Sequence, residues 1–182
     1  GMYGLILVEP EGGMSKADRE FYLMQGEIYT EQAFGTEGLN AESIDKLLDE
    51  KPEYYVFNGA ADSFMKKPLV AKQGENVRVF FGVGGPNKTS SFHVIGEIFD
   101  KAYPLAGITS APMTDVQTIS VPPGGAAVTE FKVEVPGNFI LVDHALSRLQ
   151  RGLKGILKVE GQERADIFKP HQSAAPAAHA GH

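Results

Sequence analysis

Five of the 182 residues are histidines, and only His93 and His144 lie away from the C-terminal tail. His93 sits inside the run SSFHVIGEIFD (residues 90–100), which opens on hydroxyls and closes on acids. Imidazole titrates near neutral pH, so in a pocket it can hand a proton to an oxyanion. Thr89, Ser90 and Ser91 are the neighbouring hydroxyls able to orient the ring, although the same groups also serve to finish turns. A solitary strand histidine is more often a hydrogen-bonded core residue than a catalyst. His144 closes the apolar run of FILVDHALSRL, where a strand passes through Asp143 into a helical segment. Strand exits collect functional side chains, and a turn or capping role is the plainer assignment. One imidazole cannot hold a transition metal tightly, because such sites take three or four ligands. If His144 is a ligand, its partners come from another chain or another domain. Near these histidines, Glu97 and Asp100 are expected to pair with Lys101 in an ordinary exposed arrangement, and Arg148 and Arg151 to be solvated or at an interface.

Composition narrows the chemistry further. The chain has no cysteine, which excludes thiolate nucleophiles, disulfides, zinc ribbons and iron–sulfur clusters; any metal must rest on His, carboxylate or Met. Its 17 basic against 23 acidic residues give a net charge of -6, with no basic stretch to follow a phosphate backbone, so nucleic acid is not an expected partner. No apolar stretch reaches the length of a membrane span, and the N-terminus lacks a signal-peptide pattern. Paired glycosidase carboxylates, a nucleophile elbow, a P-loop and a Rossmann glycine pattern are all missing.

The elements that must position these histidines read as strands. GMYGLILVEP enters a strand-like run at once, with no cap or turn before it, as in a chain cut from something longer. Residues 20–29 and 54–57 are aromatic and apolar without helical period and read as strands. Between them, NAESIDKLLDEKP predicts a short helix with Asn40 as N-cap, Ile44, Leu47 and Leu48 on one face and Pro52 beyond its end. From residue 69 onward the signal is β. Residues 129–135 alternate cleanly, with Thr129, Phe131, Val133 and Val135 facing inward between the turns PPGG and PGN. Residues 139–144 form a strand, ALSRLQRGL a helical segment, and KGILKVEG a strand with Leu153, Leu157 and Val159 on one face. Many short strands with glycine turns and no βαβ rhythm predict an all-β Greek-key sandwich or barrel with short helical insertions. HQSAAPAAHAGH reads as a disordered tail or linker, and its His171, His179 and His182 are too loosely spaced to preorganise a metal site.

Three ordered strings resemble one family. GMYGLILVEPEGG, SSFHVIGEIFDKAYPLAG and DVQTISVPPGGAAVTEFKVEVPGNFILVDHALSRLQRGLKGILKVEG are similar, in order, to the copper-containing nitrite reductases, specifically to the second cupredoxin domain of their two-domain subunit. The resemblance covers nearly the whole chain up to about residue 168. It implies a cupredoxin-like fold divided as residues 1–12, the last strand of a preceding cupredoxin domain; 13–168, a second cupredoxin domain; and 169–182, the tail.

The resemblance also implies roles. His144 falls at the type 2 copper ligand that the second domain supplies to a neighbouring subunit in a trimer. His93 falls at the catalytic histidine that delivers protons to nitrite, and Ile95 at the apolar residue restricting how nitrite sits. Thr118, with Gln117 beside it, falls at the position that orients the catalytic histidine. Met2 falls at the axial ligand of the type 1 copper, whose Cys and His partners, with the remaining type 2 histidines, would belong to a first domain preceding Met2. Without that domain the chain is expected to be inactive. Family membership further implies nitrite as substrate, nitric oxide as product, a small cupredoxin or cytochrome c as electron donor, and a periplasmic or outer-membrane-associated location. A laccase-like two-domain oxidase and a non-catalytic cupredoxin-like binding or assembly module are the alternatives.

Overall fold

A computed structural model describes residues 3–169; Met2 and the tail from residue 170 onward, with their expected roles, lie outside the described residues. Within it, strand-forming sequence gives eleven strands. These are β1 (Arg19–Ile28), β2 (Tyr54–Phe57), β3 (Lys67–Lys72), β4 (Asn76–Gly85), β5 (Ser90–Ile95), β6 (Phe99–Tyr103), β7 (Met113–Val116), β8 (Ile119–Val121), β9 (Ala126–Lys132), β10 (Gly137–Asp143) and β11 (Lys154–Glu160). Short helices α1 (Ile44–Leu48) and α2 (Ser63–Lys66) sit between strands. The strands form a six-stranded sheet, β2-β1-β4-β9-β6-β7, and a five-stranded sheet, β3-β11-β10-β5-β8. Both are mixed: β1 runs parallel to β4 and β3 to β11, while the other pairs are antiparallel.

One core lies between the sheets. Phe81 of the first sheet stacks on Phe92 of the second with ring centroids 4.1 Å apart, and Phe99 and Phe131 extend the aromatic row. Such rings remove large apolar areas from water and fix the spacing of the layers. The alternation expected at residues 129–135 is present in burial, with Thr129, Phe131 and Val133 buried, although pairing ends at Lys132. Leu153, Leu157 and Val159 are likewise buried together.

Three local expectations are corrected. Ser43, not Asn40, takes the N-cap position, without a capping hydrogen bond from its side chain, while the Asn40 amide donates to the Thr36 and Gly38 carbonyls and closes the preceding turn; Ile44 and Leu48 are exposed, so the helix buries no apolar face. ALSRLQRGL forms a 3₁₀ turn over Leu146–Arg151, ended by Gly152 at φ 101°. Residues 3–10 form no strand. Tyr3 rests against Gly26 and Gly59 and Leu5 against Gly82, so the segment crosses the face of β1 and β4, inner strands that have no free edge to offer it. Leu5 and Leu7 there line an apolar groove of about 410 Å³ over Phe80 and Val128.

Candidate functional site

The two histidines meet on the outer face of the five-stranded sheet. β5 and β10 pair with Val142 opposite His93 and Asp143 opposite Phe92. Strand alternation then sends Phe92, Val94 and Leu141 into the core and His93, Ile95 and Ile140 to the other face. His144, one residue beyond β10, falls on that same face, and the two imidazole centroids are 5.5 Å apart. His93 is 4% exposed, whereas His144 is open to solvent. Ile95 and Ile140 lie directly opposite each other and form an apolar shoulder beside the pair, 41% and 40% exposed.

His93 is oriented by backbone. Its Nδ1 lies 2.6 Å from the carbonyl oxygen of Gln117, which leads into β8 beside β5. A carbonyl oxygen only accepts, so Nδ1 carries the proton and Nε2 is left to serve a substrate or solvent. The orienting contact thus comes from the main chain of Gln117, and Thr118 follows it with an exposed side chain. Thr89, Ser90 and Ser91 do not hold the ring: the Ser90 hydroxyl is buried without a partner among the described residues, and the Thr89 carbonyl accepts from Arg148.

The surroundings of His144 depart from expectation. Asp143, 1% exposed, points inward and accepts from the Ser91 and Ala145 amides, from Gln25 Nε2 and from Arg148. Arg148 is therefore not solvated; its guanidinium also covers the Tyr55 ring at 5.1 Å. Arg151 donates to the Pro52 carbonyl at 2.8 Å and stays partly exposed. Lys101 reaches Glu130, not Glu97 or Asp100, and Asp100 accepts from the Lys132 amide. Glu97, which pairs with no cation among the described residues, is pushed up to about 7, first by burial and then by Asp100 and Glu134. The buried network around Asp143 was the signal missed. An acid two residues after Leu141 in an apolar strand falls on the core-facing side, where it must find donors.

Among the described residues, no three His, Cys, Asp or Glu side chains converge on one point. What they offer a metal is one exposed imidazole, His144, beside a second imidazole whose Nδ1 is already engaged. Nitrogen donors of this kind suit copper, and the exposed His144 imidazole is free to offer one.

No family model matches the chain. Over 183 aligned positions it is 50% identical to the copper-containing nitrite reductase of Neisseria gonorrhoeae, covering 100% of this chain and 46% of that protein. The chain is a homologue of the copper-containing nitrite reductases. It spans about half the length of the curated relatives it matches. Among solved structures, the copper nitrite reductase of Thermus scotoductus superposes with a TM-score of 0.71 at 29% identity, over 82% of this chain and 32% of that one. A multicopper oxidase superposes with a TM-score of 0.67 at 26% identity, over 85% of this chain and 48% of that one. The all-β, cupredoxin-like expectation holds, and this nitrite reductase homologue presents its histidine pair on the outer face of that sandwich.

Proposed function

We propose that this chain is the second cupredoxin domain of a copper-dependent nitrite reductase, residues 13–168, following the end of a first domain at residues 1–12. The observation that carries the reading is the His93–His144 pair at 5.5 Å on an exposed sheet face, in a chain half identical to a copper-containing nitrite reductase. In this reading His144 is a type 2 copper ligand lent to a neighbouring subunit of a homotrimer. Copper at that position, when bound, supplies Lewis acidity and passes the single electron that reduces nitrite. Nitrite, one electron and two protons yield nitric oxide and water.

The chain's own residues handle position and protons. With Nδ1 fixed by the Gln117 carbonyl, His93 presents Nε2 as the group that holds and delivers a proton to a nitrite oxygen. Ile95 supplies an apolar wall that limits the seating of a small anion, and Thr118 stays beside Gln117 as part of the orienting loop. Met2 is assigned to the type 1 copper of the first domain, with a small cupredoxin or cytochrome c as donor and a periplasmic or outer-membrane-associated setting. The isolated chain is then inactive. Among the described residues no helix is long and apolar enough to cross a membrane.

The likeness to a multicopper oxidase supports a second reading, a laccase-like oxidase domain, against which the 50% identity weighs. Variants of the full-length protein separate the two. His93→Ala is expected to lower nitrite turnover by on the order of a hundredfold with copper retained, and His144→Ala to lose the type 2 copper, as read by nitric oxide production and metal content. Nitrite turnover unchanged in both variants overturns the reductase assignment.

A further inference from the structure

Four donors from four segments converge on the carboxylate of Asp143. Oδ1 accepts the Ser91 amide of β5 and the Ala145 amide just past His144, each at 3.1 Å. Oδ2 accepts Gln25 Nε2 of β1 at 2.9 Å and the guanidinium of Arg148 from the 3₁₀ turn beyond β10. The His144 amide returns the tie by donating to the Ser91 carbonyl at 2.8 Å. His144 is therefore bracketed: the residue before it grips the strand that carries His93, and the same carboxylate grips the residue after it. Arg148 closes the clamp by donating to the Thr89 carbonyl at 2.8 Å, one residue before β5.

A buried carboxylate is costly, and an apolar side chain facing the core would avoid that cost. Here an apolar replacement strands two backbone amides, one guanidinium and one side-chain amide at the same point. Only an acceptor with two oxygens serves them all, since asparagine would turn its own donors on Gln25 and Arg148. We propose that Asp143 is the positioning residue of the two-histidine site, setting the spacing and aim of His144 relative to His93. The proposal rests on the reading of His144 as a copper ligand.

The test uses the full-length protein in four forms besides the parent: Asp143→Asn, Arg148→Met, His144→Ala, and Arg78→Met. Arg78, itself buried on the other sheet, pairs with the half-exposed Glu20 and with Glu130 and reports what lost stability alone does. Copper affinity is measured by chelator competition, melting temperature in parallel, and the His93–His144 ring separation from crystals of the metal-free proteins. Asp143→Asn is expected to weaken copper binding by roughly ten- to a hundredfold and to change the ring separation. Arg148→Met, which removes one donor only, does the same to a smaller degree and keeps the test open if Asp143→Asn does not fold. Arg78→Met lowers the melting temperature and leaves copper affinity unchanged. Asp143→Asn and Arg148→Met proteins that melt early but bind copper like the parent, with the ring spacing intact, overturn the proposal. Copper binding undisturbed in His144→Ala overturns the ligand assignment beneath it instead.

Discussion

A single side chain can carry a pH dependence, and Glu97 is placed to do so. Its ordinary value of 4.5 is raised to about 7 because burial disfavours the charged form and because Asp100 and Glu134 add like charge. The folded protein therefore holds this proton more tightly than the unfolded chain does. That contribution to stability is complete below the unfolded value of 4.5 and is lost as pH rises through about 7. Glu97→Gln keeps the neutral form at every pH. The variant is expected to be more stable than the parent by on the order of 1 kcal/mol at about pH 8, a gain limited by solvent screening, and to match it at about pH 4. Urea unfolding at the two pH values measures the difference. A gain that is the same at both would show that the carboxyl's titration is not its source.

At the scale of elements, the exit from β10 is shaped by the 3₁₀ turn of Leu146–Arg151. That turn brings Arg148 back onto Asp143, and it can end abruptly because Gly152 takes φ 101°. A Cβ at that position would lie 2.5 Å from the Ala61 side chain, and positive φ is strained for any residue that has one. Gly152→Ala is expected to cost roughly 1–3 kcal/mol, read as a shift in the denaturant midpoint with an unchanged slope. A helical segment could be expected from the apolar spacing of ALSRLQRGL; the tighter coil arises from the need to reach Asp143 and turn into β11 within a few residues.

For the whole molecule, the outer face of the five-stranded sheet carries Ile95 and Ile140 in the open beside His93, with the exposed imidazole of His144 further along the same face. In the proposed trimer this face is covered by a neighbour. Ile140→Lys would then bury an ammonium at the contact, at a cost of several kcal/mol per site, roughly a hundredfold or more in association. Sedimentation of the full-length variant is expected to show dissociation to subunits and, with it, loss of type 2 copper. An unchanged trimer with copper in place would remove this face from the interface.

The local half of the structure could be read from residue order. Alternation over residues 129–133 and 153–159 named buried faces correctly, because side-chain direction along a strand has a period of two wherever the strand lies, while Val135, past the end of β9, is only half-buried. The absence of cysteine bounded the metal chemistry, and the ordered strings around His93 and His144 pointed to the family. Other features depended on contacts between distant segments. The apolar spacing of α1 did not show that Ile44 and Leu48 face solvent, nor did the N-terminal run show that it crosses inner strands. That His93 and His144 stand 5.5 Å apart is a result of the register of β5 on β10, and the inward turn of Asp143 is tolerated because Gln25 and Arg148 arrive from other elements to meet it. Periodicity is a property of one strand; spacing within a site is a property of which strands pair and where, and that is decided only when the sheets pack around their common core.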